Sequence, residues 1–274
     1  MILSSLTIFR SKTQGFLAAL VLLSTPFFIK HGASQYADVP ISFFFLASLV
    51  IFAFHDRLEK SNSHLLLLAG TAAGFSAWTK NEGFLFLIAI IAARSFSVVR
   101  AQGWRNCMRQ MGLFFVGLIP IVLVSLYFKM YLAPQNNPNN LLLSQSLQAT
   151  FDRLTDVSRY ILIVKTYIGV GLTFTEGMVG VPVLTLYIFL VGVAEDTKGK
   201  VTLDTVFFTL LLMITGYFFT YVTSPHDLGW HLYSSLNRLF LQLWPMFIFY
   251  IFMKAQTYEE ALVSVKVKSI VGAK

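Results

Sequence analysis

The sequence is poor in charged residues and holds a single cysteine, and both shortages limit what the chain can be. Only 12% of its 274 residues are charged and 56% are hydrophobic, whereas soluble domains carry about 25% charged residues. The lone Cys107 excludes an internal disulfide and a cysteine-based metal cluster. The composition therefore predicts an integral membrane protein.

The sequence also lacks the common motifs of soluble enzymes. It contains no nucleotide-binding loop, metalloprotease helix or serine-hydrolase elbow, and no internal repeat of useful length. The net charge of +8 comes from basic residues scattered through short loops rather than gathered on one stripe. Such scattering argues against a nucleic-acid partner and favours the positive-inside topology of membrane proteins.

Long apolar runs are what the sequence has in abundance. We expect eight of them to cross the membrane, namely residues 14–29, 41–54, 65–78, 84–96, 112–132, 179–194, 203–222 and 239–253. The first run also has the flanks of a signal peptide, but seven further runs favour an anchor. Residues 160–174 are short for a span and contain Lys165, so we place them on the outer surface or as a re-entrant piece.

This arrangement puts both chain termini in the cytoplasm and most basic residues on the inner side, as the positive-inside rule requires. Among them are Arg94, Arg100, Arg105 and Arg109, which we place in the loop after the fourth run. The predicted fold is therefore all-α, a polytopic transmembrane helical bundle of about eight spans. Residues 133–175 are expected to form an outer loop with interfacial helices. The polar stretches 34–40, 79–83 and 224–238 also fall on the outer face.

Asp38 stands at the start of the second expected span, in the stretch 34–40. An ionised carboxylate costs roughly 2.5–3.5 kcal/mol at the bilayer centre, so Asp38 must lie at an interface or in a wet cavity. One interpretation is that it caps the following helix, with Pro40 in the first turn. The other is that it faces an active-site cleft.

The turn at 79–83 carries Lys80, Asn81 and Glu82 between two apolar helices. It can be a solvated helical hairpin, relaxed by Gly83. Alternatively, Lys80 binds an anionic headgroup, for which a lysine is a good point charge, while Glu82 orients it or contacts an acceptor. Both interpretations are open from the sequence.

The stretch 224–238 is the richest in polar side chains. Ser224 and Asp227 are spaced almost as a capping box, with Pro225 at the first helical position. A helix starting there puts five polar residues on one face: Asp227, His231, Ser234, Arg238 and Gln242. Asp227 and His231 can form a simple pair and Arg238 can snorkel, but together the stripe favours a ligand-lined groove. A zinc site from His226, Asp227 and His231 has suitable residue types without a recognised spacing.

These stretches carry a family resemblance. Tyr36-Ala37-Asp38-Val39-Pro40 before an aromatic-rich helix and Thr79-Lys80-Asn81-Glu82-Gly83 after a Gly/Ala-rich helix resemble membrane glycosyltransferases of the GT-C superfamily. The late residues 225–231, 237–238 and 241–245 also resemble bacterial members. The resemblance covers residues 13–253 and points to the branch of dolichyl-phosphate-mannose protein mannosyltransferases and aminoarabinose transferases.

The resemblance implies a polyprenyl-phosphate-linked sugar donor and transfer at the outer face of the membrane, to a glycan, lipid or protein acceptor. Asp38 resembles the family's second acid, which holds a divalent metal ion or the donor phosphate. The resemblance and the chemistry together predict catalytic roles for Asp38 and His231, with Asp38 also a metal ligand. The substrate-binding residues expected from them are Lys80, Asn81, Glu82, His226, Asp227 and Arg238.

The chain has no counterpart of the family's first outer loop. We therefore expect residues 1–274 to form a single GT-C-like domain that begins about two helices late, in a bacterial inner or plasma membrane. Two other functions are compatible with such a chain. One is a non-catalytic membrane subunit or fragment, and the other is a transporter or flippase of lipid-linked substrates, which predicts broken mid-membrane helices and internal repeats.

Overall fold

The computed structural model describes residues 1–58, 62–133, 147–174, 180–194 and 199–260. Over these residues the chain forms helices and no strand, so the all-α prediction is confirmed. In chain order the helices are α1 (Ile2–Phe9), α2 (Lys12–Leu23), α3 (Pro26–Gly32), α4 (Asp38–Arg57), α5 (Ser63–Thr79), α6 (Glu82–Gln102), α7 (Trp104–Tyr127), α8 (Leu147–Thr155), α9 (Val157–Thr173), α10 (Val181–Val191), α11 (Lys200–Thr223) and α12 (Leu228–Lys254). A π-helical turn, Phe128–Leu132, extends α7.

Five of the described helices are long and apolar enough to cross a membrane: α4, α6, α7 with its π-helical turn, α11 and α12. The pair α2 and α3, bent by 73°, makes a sixth if it is one broken span. The other two expected spans fall on α5, with 17 residues, and on α10, with 11. At 1.5 Å per residue these helices reach about 26 and 17 Å, short of a hydrocarbon core of about 30 Å. The membrane bundle is confirmed, with five or six such helices where we expected about eight spans.

Helix α6 is longer than the apolar run 84–96, which is the fourth expected span. Helix α6 continues to Gln102, so Arg94 lies inside a helix and not in the loop where we had placed it. The expected loop residues Arg105 and Arg109 lie in the first turns of α7. Arg94 is tolerated inside α6 because it donates hydrogen bonds to Asp56 and Gln110 within the bundle.

Helices α5 and α7 run in the same direction and approach closely. A Cβ added at Gly70 would lie 2.0 Å from the carbonyl oxygen of Phe114, and one added at Gly117 would lie 2.0 Å from that of Leu67. Only glycine fits at these positions, as is usual where helix backbones touch in lipid. The two helices consequently end side by side.

The two ends of the bundle can be named by the aspartates of α4. Asp38 is the first residue of this helix and Asp56 lies in its last turn, so the two are about 27 Å apart along the axis. Helices α5, α7 and α11 run towards the Asp38 end, whereas α4, α6 and α12 run towards the Asp56 end. Between the ends, Phe45 stacks on Phe86 at 4.1 Å between ring centroids, which packs α4 against α6.

Helix α9 accounts for the ambiguous run 160–174 and lies against the end of α11. Arg159 donates hydrogen bonds to the carbonyl oxygens of Tyr221, Val222 and Ser224, where α11 ends. Asp156 caps α9, and hydrogen bonds from the Ser158 side chain and backbone hold the pKa of its carboxyl below the usual range. Residues 134–146 of the expected outer loop 133–175 lie outside the described residues.

Candidate functional site

Asp38 is the centre of a polar cluster at one end of the bundle. Its Oδ1 accepts hydrogen bonds from Lys80 Nζ at 2.8 Å and from Gln242 Nε2 at 2.7 Å, and its Oδ2 accepts one from Arg238 Nε at 2.9 Å. Glu82 joins through Lys80, whose Nζ lies 2.7 Å from Glu82 Oε1. We call these five residues the Asp38 cluster. It brings together side chains that are up to 204 positions apart in the chain.

The position of Asp38 follows from its place in α4. The N-cap of this helix is Ala37, and no side chain caps it. The capping interpretation of Asp38 is therefore wrong, because its carboxylate reaches sideways to α5 and α12. The first turn of a helix still favours a negative charge through the helix dipole.

Lys80 is held by a tight hairpin between α5 and α6. A Cβ added at Gly83 would lie 2.1 Å from the backbone oxygen of Ser76, so the first turn of α6 packs directly on the last turn of α5. This close contact points Lys80 inward, where its ammonium group bridges the carboxylates of Asp38 and Glu82. The hairpin is thus more than a solvated connection.

Arg238 lies on the solvent-accessible side of the Asp38 cluster. Its guanidinium carbon lies 4.6 Å from the ring centroid of Tyr36, and its side chain is 31% exposed. Only Nε is used for Asp38, and among the described residues the two terminal nitrogens have no hydrogen-bond partner. The cluster has a buried acid at its base and partly exposed cations at its rim.

A third cation stands beside the hairpin. Lys129, in the π-helical turn after α7, donates a hydrogen bond of 2.6 Å to Asn81 Oδ1, and its ammonium group lies 4.2 Å from the ring centroid of Phe84. Sequence analysis missed Lys129 because a lysine at the end of a span is ordinarily a membrane anchor.

The residues at the start of α12 form a separate group. This helix begins at Leu228, with Asp227 as its N-cap accepting from the Trp230 backbone nitrogen at 2.7 Å. The helix start predicted at Ser224 and Pro225 is therefore wrong. Ser224 ends α11 instead, and its Oγ lies 2.7 Å from Nδ1 of His231.

The predicted polar stripe is consequently divided. His231 contacts Tyr221 and His226, with ring centroids 4.8 and 5.6 Å away, and makes no contact with the Asp38 cluster. It lies two helical turns before Arg238, about 10 Å along the axis. His226 and Asp227 are exposed to solvent at the helix start. Of the predicted stripe, only Arg238 and Gln242 reach Asp38.

The side chains around Asp38 do not fit a divalent metal ion. Both carboxylate oxygens already accept hydrogen bonds. Two of these three bonds come from cationic groups, which repel a metal ion. Across the described ranges no three His, Cys, Asp or Glu side chains are grouped as metal ligands. The same holds for the zinc alternative, in which the Asp227 carboxylate is engaged as a helix cap.

The first part of the chain matches a known protein family. Residues 6–128 match the family model of dolichyl-phosphate-mannose-protein mannosyltransferase. The match includes Asp38, Lys80 and Glu82, and it ends before Arg238 and Gln242. It confirms the resemblance to the GT-C superfamily and supports a membrane glycosyltransferase in general. No curated protein and no solved structure matches the chain.

Proposed function

We propose that this membrane protein of GT-C type transfers a sugar from a polyprenyl-phosphate-linked donor and that the Asp38 cluster binds the donor phosphate. The acceptor is a glycan, a lipid or a protein. The observation that carries the proposal is the guanidinium of Arg238, which is fixed through Nε while its two terminal nitrogens have no partner in the described chain. Two parallel N–H donors on a fixed plane match two oxygens of a phosphate.

The chemistry of the transfer explains why cations are needed there. The bond between the sugar C1 and the phosphate oxygen breaks while a bond from C1 to the acceptor oxygen forms, and charge builds up on the departing phosphate. Cations that are already in place stabilise that charge without reorganising, and they do so strongly in a partly desolvated site. Arg238 supplies the fork and Lys80 supplies a point charge beside it.

We assign Asp38 the role of holding these cations. A carboxylate that accepts three hydrogen bonds, two from cations, is a weak proton acceptor. Glu82 has Lys80 as its one ion-pair partner in the described chain and is partly exposed. We therefore place Glu82 on the acceptor side, where its carboxylate takes the proton that the acceptor hydroxyl releases. The catalytic role of His231 and the binding roles of Asn81, His226 and Asp227 stay predictions.

We propose that the Asp38 end faces the outside of a plasma membrane and that both described terminal regions lie on the cytoplasmic side. The distribution of basic residues supports this orientation, because Arg57, Arg94, Arg100, Arg105 and Arg109 lie at or near the Asp56 end. A cysteine-labelling experiment with a membrane-impermeant reagent, using Ser34→Cys and Ser63→Cys in a Cys107→Ala background, tests it. Outside labelling is expected at position 34 alone.

Binding of farnesyl phosphate tests the phosphate site itself. The full chain in detergent is titrated with farnesyl phosphate and with farnesol, which has the same tail without the phosphate. We expect preference for the phosphate, and Arg238→Ala should weaken its binding by about 10- to 150-fold, as charged hydrogen bonds contribute roughly 1.5–3 kcal/mol. Lys165→Ala, which removes an exposed cation on α9, should bind like the wild type. Equal binding of farnesyl phosphate and farnesol would refute the proposal.

Transfer is then measured in membranes with a panel of labelled polyprenyl-phosphate sugars. An enzyme gives labelled product that Arg238→Ala lacks. A non-catalytic subunit binds farnesyl phosphate but forms no product, and a transporter moves the intact labelled donor across sealed vesicles.

A further inference from the structure

We propose that Tyr217 and Gln242 act as a positioning pair that fixes the carboxylate of Asp38, and through it the orientation of Arg238 towards the bound phosphate. This inference rests on the proposed function and concerns two residues that do not themselves reach the open side of the cluster. Gln242 and Asp38 are fully buried, and Tyr217 is 2% exposed. Neither residue of the pair bears a formal charge, and nothing in the sequence distinguishes Tyr217 from the other aromatic residues in the spans.

The pair forms a directed chain of hydrogen bonds across three helices. Tyr217 on α11 donates from its hydroxyl to Gln242 Oε1 on α12 at 2.8 Å, and Gln242 Nε2 donates to Asp38 Oδ1 on α4 at 2.7 Å. Each donor points towards the carboxylate. Hydrogen bonds aligned in this way polarise and strengthen one another in a low-dielectric interior.

The direction of this chain decides which way the Gln242 amide faces. A glutamine side chain can present either its oxygen or its NH₂ group, whereas an ionised carboxylate only accepts. A flipped amide would turn its oxygen towards Asp38 and leave the carboxylate with one donor fewer. The Tyr217 hydroxyl stabilises the productive orientation because it supplies the donor that the buried Oε1 needs.

Asp38 needs such an anchor because its two cationic partners are partly exposed to solvent. Lys80 is 23% exposed and is shared with Glu82, and Arg238 is 31% exposed. Gln242 is the one fully buried donor to Asp38 in the described chain, so it fixes the plane of the carboxylate. That plane sets the direction of the Arg238 guanidinium, whose Nε is bonded to Oδ2.

The consequence for activity differs from that of losing a phosphate ligand. Without the Tyr217 hydroxyl both cations remain, so the phosphate still binds. Its orientation is less well defined, and small misplacements of reacting groups lower the rate far more than the affinity. The pair is therefore expected to affect kcat more than KM.

The matched substitutions Tyr217→Phe and Tyr221→Phe test the inference. Both remove one buried hydroxyl from α11, one turn apart, but the Tyr221 hydroxyl lies 2.7 Å from Ser235 Oγ and has no bond to Gln242. Tyr217→Phe should lower kcat about 10- to 100-fold with donor KM and farnesyl phosphate binding changed about threefold or less. Tyr221→Phe should leave kcat within about threefold, because the Tyr221 hydroxyl pairs with Ser235 and takes no part in the hydrogen bonds that reach Asp38.

A second readout does not depend on activity. In protein labelled with ¹⁵N-glutamine, the side-chain amide of Gln242, assigned through its loss in Gln242→Leu, should exchange slowly with solvent. Tyr217→Phe should speed that exchange and Tyr221→Phe should not. Equal effects of the two tyrosine variants on kcat and on exchange would overturn the inference. A wild-type chain that does not prefer farnesyl phosphate to farnesol would instead overturn the proposed function, and with it the role of the pair.

Discussion

The two ends of α4 each carry an aspartate paired with an arginine of another helix, yet the two pairs differ in what they leave open. At one end Asp38 meets Arg238, which is 31% exposed. At the other, Asp56 accepts hydrogen bonds of 2.7 and 2.5 Å from the two terminal nitrogens of Arg94, and these side chains are 2% and 0% exposed. Thr202 adds a bond to Asp56 at 2.6 Å, and His55 Nδ1 lies 3.2 Å from its Oδ1. We call Asp56, Arg94, Thr202 and their partner Gln110 the Asp56 cluster.

A buried acid–arginine pair therefore does not by itself mark a binding site. Both terminal nitrogens of Arg94 are used inside the bundle, one of them also for Gln110, and its guanidinium lies over the ring of Phe52. The Asp56 cluster ties α4, α6, α7 and α11 together through hydrogen bonds that use both terminal nitrogens of Arg94. The Asp38 cluster leaves the guanidinium fork unused, and that unused fork is the feature that indicates ligand binding.

The largest effect on stability is expected from breaking the Asp56 cluster. Arg94→Leu removes the arginine from the buried Asp56 carboxylate, and the loss of one partner of a buried ion pair costs about 3–5 kcal/mol. Arg238→Leu, in the Asp38 cluster, should change stability far less because water reaches Arg238. Thermal unfolding of both variants in the same detergent compares the two clusters directly.

The double variant Asp56→Leu/Arg94→Leu sharpens that test. Removing both charges removes the uncompensated carboxylate, so much of the lost stability should return. If Arg94→Leu unfolds like the wild type while transfer disappears, the Asp56 cluster is a working site and the contrast drawn between the two ends is wrong.

A smaller effect on stability, but a clear one on activity, is expected from Gly83→Ala. The new Cβ would lie 2.1 Å from a backbone oxygen of α5, so the hairpin must open and Lys80 must move away from Asp38. Transfer should fall about 10-fold or more, as for other displaced binding groups. Gly112→Ala is the control, since a Cβ there meets nothing within 4 Å and alanine favours a helix by up to about 1 kcal/mol. Equal activity in the two variants would show that the hairpin does not position Lys80.

The sequence indicated the charged residues of the Asp38 cluster, but not which of them pair with one another. Asp38, Lys80 and Arg238 stand out because a charge next to a membrane-length apolar run is costly and needs a reason. Their pairing depends on the rotation of α12, and the two helical turns between His231 and Arg238 separate His231 from the cluster. Side-chain spacing within one helix predicts a shared face, but it does not predict how far along the neighbouring helix that face makes contact.

The Asp56 cluster was not predicted from the sequence. Arg94 was assigned to a basic loop because the apolar run ends near it, although α6 continues for two more turns and buries it. Tyr217 is equally inconspicuous, since a hydroxyl inside a span draws no attention until its hydrogen-bond partner is known. The all-α membrane fold follows from composition, whereas the number of spans depended on helix lengths and on the bend between α2 and α3, which apolar runs do not define.

The smallest effect is expected from Tyr36, whose ring lies 4.6 Å from the Arg238 guanidinium carbon and stacks on His31. At a partly exposed site a cation–π contact contributes about 0.5–1 kcal/mol, so Tyr36→Leu should weaken farnesyl phosphate binding about 2- to 5-fold. Tyr36→Phe keeps the ring and should bind like the wild type, which separates the ring from the hydroxyl. If Tyr36→Phe binds farnesyl phosphate as weakly as Tyr36→Leu, the tyrosine hydroxyl contacts the ligand. The Asp38 cluster then has a hydrogen-bond donor to the ligand in addition to Arg238.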